Sequence, residues 1–397
     1  MTNARLRLRG KPSFSVMQFS NRWIRIPSFF RYALGAILAF SAPFCPAEWQ
    51  TALPGWTYVF PRDHGNHPGF KTEWWYFTGN LVSPDGRAFG YQLTFFRQGV
   101  GSNFEPSESR FVTRDIKLAH FAVTDKAADS FLFFQKVSRG AYGEAGFADG
   151  HRLAWIDDWS CELLPSLAVD GRAVRDRFRI RARVDAVALD LTLTAVKPPV
   201  IHGSDGVSQK AAGAGRASHY YSLTRLLSEG TLTLNNAEVS VSGLSWFDHE
   251  WATNQLAKNQ VGWDWFSLQF VDGSELMLFQ LRNEAGEPDP FSAGTFIAAS
   301  GETIAVVDFV LTPTKFWRNQ DRTGNYPVAW RIEIPKLDLD LQVTATKEDQ
   351  ELRLQPVVYW EGAVRAKGTR KGLSLEASGY LEMTGYAGSV PGMVEGR

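Results

Sequence analysis

Glu73-Trp74-Trp75-Tyr76-Phe77 leads through Asp85-Gly86 to Tyr91-Gln92-Leu93-Thr94-Phe95-Phe96-Arg97, and far downstream Asp264-Trp265-Phe266 leads through Asp272-Gly273 to Leu276-Met277-Leu278-Phe279-Gln280-Leu281-Arg282. Each unit opens on acid, tryptophan and aromatic, turns at Asp-Gly, and returns in a strand ending at arginine, which is a β-hairpin pattern. Its recurrence predicts two similar β domains in tandem. With each Asp-Gly pair at the tip, residue 98 falls opposite Glu73 and residue 281 opposite Asp264. Arg97 and Arg282 then stand within one residue of facing those acids. A slip of one decides whether they pair, because side chains alternate faces along a strand.

The rest of the chain follows the same period. Phe178, Ile180, Ala182 and Val184 alternate with Arg179, Arg181 and Arg183, and Leu337, Leu339, Leu341 and Val343 alternate with Asp338, Asp340 and Gln342. Antiparallel sheets with one wet face are implied, with few and short helices. Gly203-Ser204-Asp205-Gly206 and Ala211-Ala212-Gly213-Ala214-Gly215 mark a loop, read as an ordinary surface loop in preference to a lid over a site. The domain boundary falls shortly after Trp251, giving residues 48–252 and 253–397 as the two domains.

The 42 basic and 42 acidic side chains of this 397-residue chain are unevenly distributed. All seven basic residues of the first 47 precede the first acid, Glu48, which leaves 35 basic against 42 acidic beyond them. The apolar run Tyr32–Phe44 is 13 residues, short of the roughly 20 that span a bilayer. Residues 1–47 therefore read as a secretory signal cleaved after Ala47, and the mature protein as periplasmic or secreted. Cys161 is then the lone cysteine, so no internal disulfide is expected. An acidic body without lysine or arginine clusters argues against nucleic acid as a partner. The 14 tryptophans and 28 phenylalanines fill β cores or line a cavity for a bulky apolar ligand.

Gly243-Leu244-Ser245-Trp246-Phe247-Asp248-His249-Glu250-Trp251, followed by Gly262-Trp263-Asp264-Trp265, is the densest polar and aromatic segment. Spacing removes several chemistries. His249-Glu250 is followed by Thr253 where a zinc protease helix needs a second histidine, and Ser245 lacks the second glycine of a nucleophile elbow. His64 and His67 sit in a Pro- and Gly-rich loop without partners at metal spacing and read as loop structure. What survives is acid/base work by Asp248, His249 and Glu250, weighed equally against a buried ion pair joining the domains. On a regular strand Trp246, Asp248 and Glu250 share one face and Phe247, His249 and Trp251 the other, so Asp248 and His249 serve one pocket only if a bulge intervenes. His120 and His219-Tyr220-Tyr221 are further candidates.

These segments resemble the AttH-like and carotenoid 1,2-hydratase-like proteins. The resemblance rests on His67-Pro68 with Thr72 to Leu81, Phe89 to Arg97, Ser218 to Ser222, Val241 to Trp251, Gly262 to Trp265 and Gly379 to Tyr386, and covers nearly all of the chain after the leader. It implies two tandem lipocalin-like antiparallel β-barrels with a hydrophobic pocket within or between them. It further implies hydration of an isoprenoid-type alkene without metal or organic cofactor, Asp248 giving the proton and Trp246, Trp251 or Trp263 steadying the cation. Glu73, Trp75, Tyr76, Gln92, Arg97, His219, Tyr221, Asp264, Gln280 and Arg282 join those tryptophans as candidate substrate contacts. The competing expectation is a monomeric, non-catalytic carrier of a lipid or other hydrophobic small molecule, working beside an ABC-type lipoprotein-export permease.

Overall fold

A computed structural model describes residues 48–101, 112–169, 173–355 and 357–388, and the expected leader with its cleavage point lies outside these. The alternating segments form strands throughout. The first thirteen are β1 (Thr72–Val82), β2 (Ala88–Gly99), β3 (Asp115–Asp125), β4 (Ser130–Ser138), β5 (Ala145–Phe147), β6 (Arg152–Ile156), β7 (Trp159–Val169), β8 (Ala173–Val184), β9 (Val187–Ala195), β10 (Val200–Ile201), β11 (Ser208–Gln209), β12 (Ala217–Leu234) and β13 (Ala237–Ala252). A second set follows: β14 (Gln260–Phe270), β15 (Glu275–Asn283), β16 (Ala293–Ile297), β17 (Thr303–Val306), β18 (Val310–Arg318), β19 (Asn325–Ile334), β20 (Leu339–Ala345), β21 (Glu351–Arg353), β22 (Val358–Arg370) and β23 (Leu373–Met383). Helix among the described residues is confined to three-residue 3-10 turns, such as Arg62–His64.

Each set builds one curled, barrel-like antiparallel sheet. The first runs β4-β3-β2-β1-β13-β12-β9-β8-β7-β6-β5, and the second β17-β16-β15-β14-β23-β22-β20-β19-β18. Inside the first, Trp75, Phe77, Phe178, Ile180, Phe247 and Trp251 are fully buried, while Arg179 and Arg181 point outward to Asp190 and Glu162. Inside the second, Phe266, Trp330, Leu341 and Trp360 fill the core.

Both repeated hairpins turn one residue earlier than a two-residue Asp-Gly tip requires. Ser83 N–H donates to Arg87 O at 3.0 Å, and Phe270 N–H to Ser274 O at 2.9 Å. Each loop is thus three residues centred on the aspartate, with Gly86 (φ +86°) and Gly273 (φ +82°) in the left-handed region such loops demand. The register shifts accordingly: Arg97 lies opposite Glu73 and Gln280 opposite Asp264. That one-residue difference places Glu73 with Arg97, and Asp264 with Arg282 two positions along, on common faces.

The two sheets meet face to face in one body. β1, β12 and β13 pack through Tyr76, Tyr220 and Trp246 against Trp265, Met277, Phe279, Ala363 and Tyr380. Contact at one corner is close enough that a Cβ on Gly90 would come 2.7 Å from that of Ala363. Buried Glu275 of the second sheet accepts hydrogen bonds from Lys197 (2.7 Å) and Arg225 of the first, and Asn80 Nδ2 donates to Gly379 O at 3.1 Å.

Candidate active site

Strand alternation, with no bulge across Trp246–Trp251, sorts the polar residues of β13 into two separate places. Asp248 and Glu250 face the second sheet; His249 and Trp251 face the first barrel's interior. In register beside Asp248 and Glu250 stand Tyr76 and Trp74 of β1, and Ser222 and Tyr220 of β12. Of these, Trp74, Tyr76, Tyr220, Asp248 and Glu250, together with Trp263 and Trp265 of β14, Phe279 and Leu281 of β15, Tyr359 and Glu361 of β22 and Glu382 of β23, line a cleft of about 430 Å³ between the sheets. The lining residues nearest solvent, at the mouth, are mainly apolar: Ile116, Leu118, Val137 and Val357, with Gln98 and Gln355 beside them.

Asp248 is 3% exposed and surrounded by donors. Tyr220 Oη–H donates to Oδ2 at 2.6 Å; Trp246 Nε1–H donates to Oδ1 at 2.6 Å, and Ser222 Oγ–H donates to the same oxygen. Burial drives the carboxyl upward, the three donors pull it partly back and Glu250 adds repulsion, leaving it raised to about 7. It can therefore both give and take a proton near neutrality.

Three more acids surround it. Glu361 and Glu382 lie directly opposite each other across β22 and β23, two like groups on one face. Burial and the neighbouring Glu382 push Glu361 well up, and Tyr76 Oη–H donates to its Oε1. Glu382 is raised to about 8 by burial, relieved by Trp263 and reinforced by the charges of Asp248 and Glu250. Glu250 instead has a cation, Lys210 Nζ, 3.4 Å from its Oε1. Lys210 comes from the segment read as a plain surface loop. Short strand β11 pairs with β12 and turns that loop inward, so the loop helps build the cleft. His120, also in the lining, is neutral through burial, which lowers it to about 3, and bonds Tyr359 Oη at 2.8 Å.

The other face of β13 holds a closed ionic network. Glu73 Oε1 lies 2.7 Å from His67 Nδ1 and 2.9 Å from His249 Nε2, while Arg97 donates to Oε2 at 3.0 Å. Burial alone would raise the Glu73 carboxyl, but His67, His249 and Arg97 outweigh it and hold it far below the usual range. His67 is raised despite burial by Glu73 and Asp63, whereas His249 is lowered to about 4 because burial prevails over Glu73. His67 stacks on Trp251 at 3.7 Å and Trp75 on His249 at 4.6 Å; Tyr221 Oη reaches His64 Nδ1 at 2.7 Å. His219 binds Gly206 O at 2.7 Å and stacks beside Trp56.

His67, Glu73 and His249 are, among the described residues, the group whose ligating atoms converge closely enough for a metal ion, within 4.8 Å. Reading His67 as isolated loop structure misses them, since pairing of β1 with β13 assembles the group from distant segments. Their atoms already satisfy one another, and Arg97 holds the remaining carboxylate oxygen. The arrangement is that of an ion-pair network.

In the second barrel Asp264 and Arg282 repeat the theme at 3.0 Å, with Tyr386 Oη–H donating to Asp264 at 3.0 Å and Gln280 directly opposite the acid. Gln92 is buried between the sheets, on the face of β2 that carries Phe96 and Gln98. Of the residues singled out from the sequence, the structure therefore gathers Tyr76, His120, Tyr220, Asp248, Glu250 and Trp263 in the cleft, with Trp246 buried beside Asp248. Glu73, Trp75, Arg97, His219, Tyr221, His249 and Trp251 lie in the first barrel, and Asp264, Gln280 and Arg282 pack toward the second. Sequence reading passed over Lys210, Glu361, Glu382 and Tyr359. The one available signal was acids at in-facing positions of apolar strands, as at Tyr359-Trp360-Glu361 and Leu381-Glu382-Met383.

The AttH-like family profile matches residues 51–386. A solved structure from Nitrosomonas europaea, assigned as an AttH, superposes with a TM-score of 0.74 at 32% identity, covering 85% of this chain and 99% of that one. Kievitone hydratase from Nectria haematococca shares the fold at 16% identity, with a TM-score of 0.64 over 87% of this chain and 98% of its own. The dehydratase asqC of Emericella nidulans is 24% identical over 218 residues, 52% of this chain, and the match spans only 60% of that relative's length.

Proposed function

The chain belongs to the AttH-like family, and on that premise we propose that it is a hydro-lyase, adding water to or removing it from an apolar substrate held in the cleft between the two sheets. One observation carries this reading: Asp248 is a carboxyl poised near pH 7 at the wall of an aromatic cleft, with donors on both oxygens. In hydration its neutral form would protonate the alkene carbon, water would add to the resulting cation, and the oxonium would return its proton to the carboxylate. In dehydration it would protonate the departing hydroxyl, water would leave, and the carboxylate would take a proton from the adjacent carbon as the alkene forms. In both directions the donors from Tyr220, Trp246 and Ser222 stabilise the carboxylate left behind. Trp263 and Trp265 line the same cleft, and their indole rings are the groups to steady a developing cation there. Trp251 is packed against His67 in the barrel interior and takes no part. The likeness to a dehydratase supports the reaction class, and an isoprenoid-type alkene is its most concrete substrate.

The test uses terminal isoprenoid alkenes and the matching tertiary alcohols, assayed in both directions with ¹⁸O-labelled water. Asp248→Asn should lower turnover by about 10²–10⁴-fold while the near-UV dichroism and ligand retention persist; equal turnover by mutant and parent would sink the assignment. Export to the periplasm belongs to the same proposal, tested by sequencing the N-terminus of protein recovered from that compartment. A carrier reading is favoured by the apolar mouth of the cleft. Native mass spectrometry of purified protein separates the two: a lipid unchanged on long incubation favours the carrier, a hydrated product the enzyme.

A further inference from the structure

We infer that Lys210 is a covalent capture site for an apolar aldehyde or ketone, which it binds as an iminium inside the cleft. The alkene chemistry assigned to Asp248 makes no use of this amine, yet the amine is placed with care. Its backbone is pinned on both sides, Lys210 N–H donating to Arg216 O at 2.9 Å and Gln260 Nε2–H donating to Lys210 O at 2.8 Å. The side chain is 7% exposed and lines the cleft. Nζ sits 3.8 Å from the ring centre of Phe279 and 5.1 Å from that of Tyr220. Its ion partner, Glu250 Oε1, is 3.4 Å away, longer than a charge-assisted hydrogen bond. The rings attract a cation, but they and a carboxylate at 3.4 Å leave the three protons of an ammonium without a close oxygen acceptor. Burial accordingly lowers the amine, with Glu250 opposing. A desolvated lysine in an apolar pocket is the usual setting for a nucleophilic amine.

Glu250 is placed to carry the proton traffic. The Lys210 ammonium gives one proton to the Glu250 carboxylate, and the freed nitrogen lone pair forms a C–N bond to the carbonyl carbon as the C=O π pair moves to oxygen. Transfer of a second proton from nitrogen to that oxygen gives a neutral carbinolamine. Glu250 then returns its proton to the hydroxyl, the C–O bond breaks, water leaves, and the nitrogen pair forms C=N. Ammonium and carbonyl have become iminium and water, with charge conserved and Glu250 restored. The aromatic walls and apolar mouth select a carbonyl compound with a long hydrocarbon or polyene body.

The experiment treats the full protein at pH 7 with decanal and sodium cyanoborohydride, which fixes the iminium as a secondary amine, and maps the adduct by peptide mass spectrometry. Lys315 and Lys367, whose side chains are 57% and 73% exposed, serve as internal controls. Burial lowers the amine and so enlarges its neutral fraction, and the cleft gathers the apolar aldehyde beside it, so Lys210 should be labelled severalfold faster than either control. Labelling of Lys210 no faster than Lys367 overturns the inference, and because both lie in one molecule the comparison needs no folded variant. Glu250→Gln also removes the charge that opposes the lowering of the amine, so the shuttle is read as slower labelling of Lys210 than in the parent despite a larger neutral fraction, with Lys315 and Lys367 unchanged; a rate equal to or above the parent's removes the shuttle. Labelling of Lys210 is read by mass alone, without any hydration assay, so a failure of the hydration reading leaves this one standing.

Discussion

At the scale of single residues, the chemistry proposed for Asp248 is set by a balance between burial and three donors. Burial alone favours the neutral acid; Ser222, Tyr220 and Trp246 favour the anion, and the result near 7 lets one group serve both directions of a hydration. If the neutral form delivers the proton, kcat/KM should be flat on the acidic side and fall tenfold per pH unit above about 7. Ser222→Ala removes a donor to the carboxylate and should move that alkaline limb to higher pH. Rate measurements over pH 5 to 9 on both proteins check this, and a limb that stays in place means that another group sets it. The identity of Asp248 as a candidate acid was legible in the sequence from its setting among tryptophans. The donors Ser222 and Tyr220 were not, because they belong to a strand whose register against β13 no local pattern announces.

At the scale of elements, the alternation in Trp246–Trp251 assigns Asp248 and His249 to opposite faces, and the unbroken pairing of β13 with β1 keeps them there. Two polar centres result from one short motif. The hairpin repeat was legible too, but its register was off by one, since Asp-Gly serves three-residue loops as readily as two-residue ones. In both hairpins the corrected register buries an acid with an arginine. The two pairs differ in charge balance: Glu73 has His67 as well as Arg97 and is held low, whereas Asp264 has Arg282 alone and stays raised by burial. Removing Arg97 leaves the buried Glu73 carboxylate with His67 as its remaining charged partner and one oxygen stripped of its guanidinium, so Arg97→Ala should cost about 3 kcal/mol, the lower end for breaking a buried pair. Urea unfolding of the Glu73→Gln, Arg97→Ala and double variants checks it. The double variant should recover part of the loss, and a single-variant cost below about 1 kcal/mol would show that the pair holds little of the fold.

At the scale of the whole molecule, the cleft exists only where the two sheets meet, which explains why its membership was largely illegible. Glu361 and Glu382 lie far from the Trp246–Trp265 segment, and Lys210 enters from a loop whose composition suggests a surface. Docking of sheets is written in the shape of both faces, not in the period of either. This docking makes stability depend on pH in a specific way. Glu73 and Asp63 are held low, so the stability they contribute is present above about pH 4 and lost as pH falls below it. Asp248 and Glu382 are raised to about 7 and about 8, so the folded state keeps protons that the unfolded chain releases, and stability declines as pH rises from about 4 toward those values. Between about pH 4 and 6.5 this decline is opposed by His120, His202 and His249, lowered to about 3, 3 and 4, which the unfolded chain protonates first. Above about pH 6.5 those three histidines no longer differ between the two states, and His67, raised by Glu73 and Asp63, joins the carboxyls in losing stability as pH rises. The midpoint of thermal unfolding should therefore pass through a plateau at about pH 4.5–6.5 and fall on both sides. Glu382→Gln removes one of the groups that titrate on the alkaline side, so the drop between about pH 6.5 and 8 should be shallower in that variant while the acid side keeps its slope. An unchanged alkaline slope would mean that Glu382 is ionised in the folded protein, with water or a cation reaching it through the cleft.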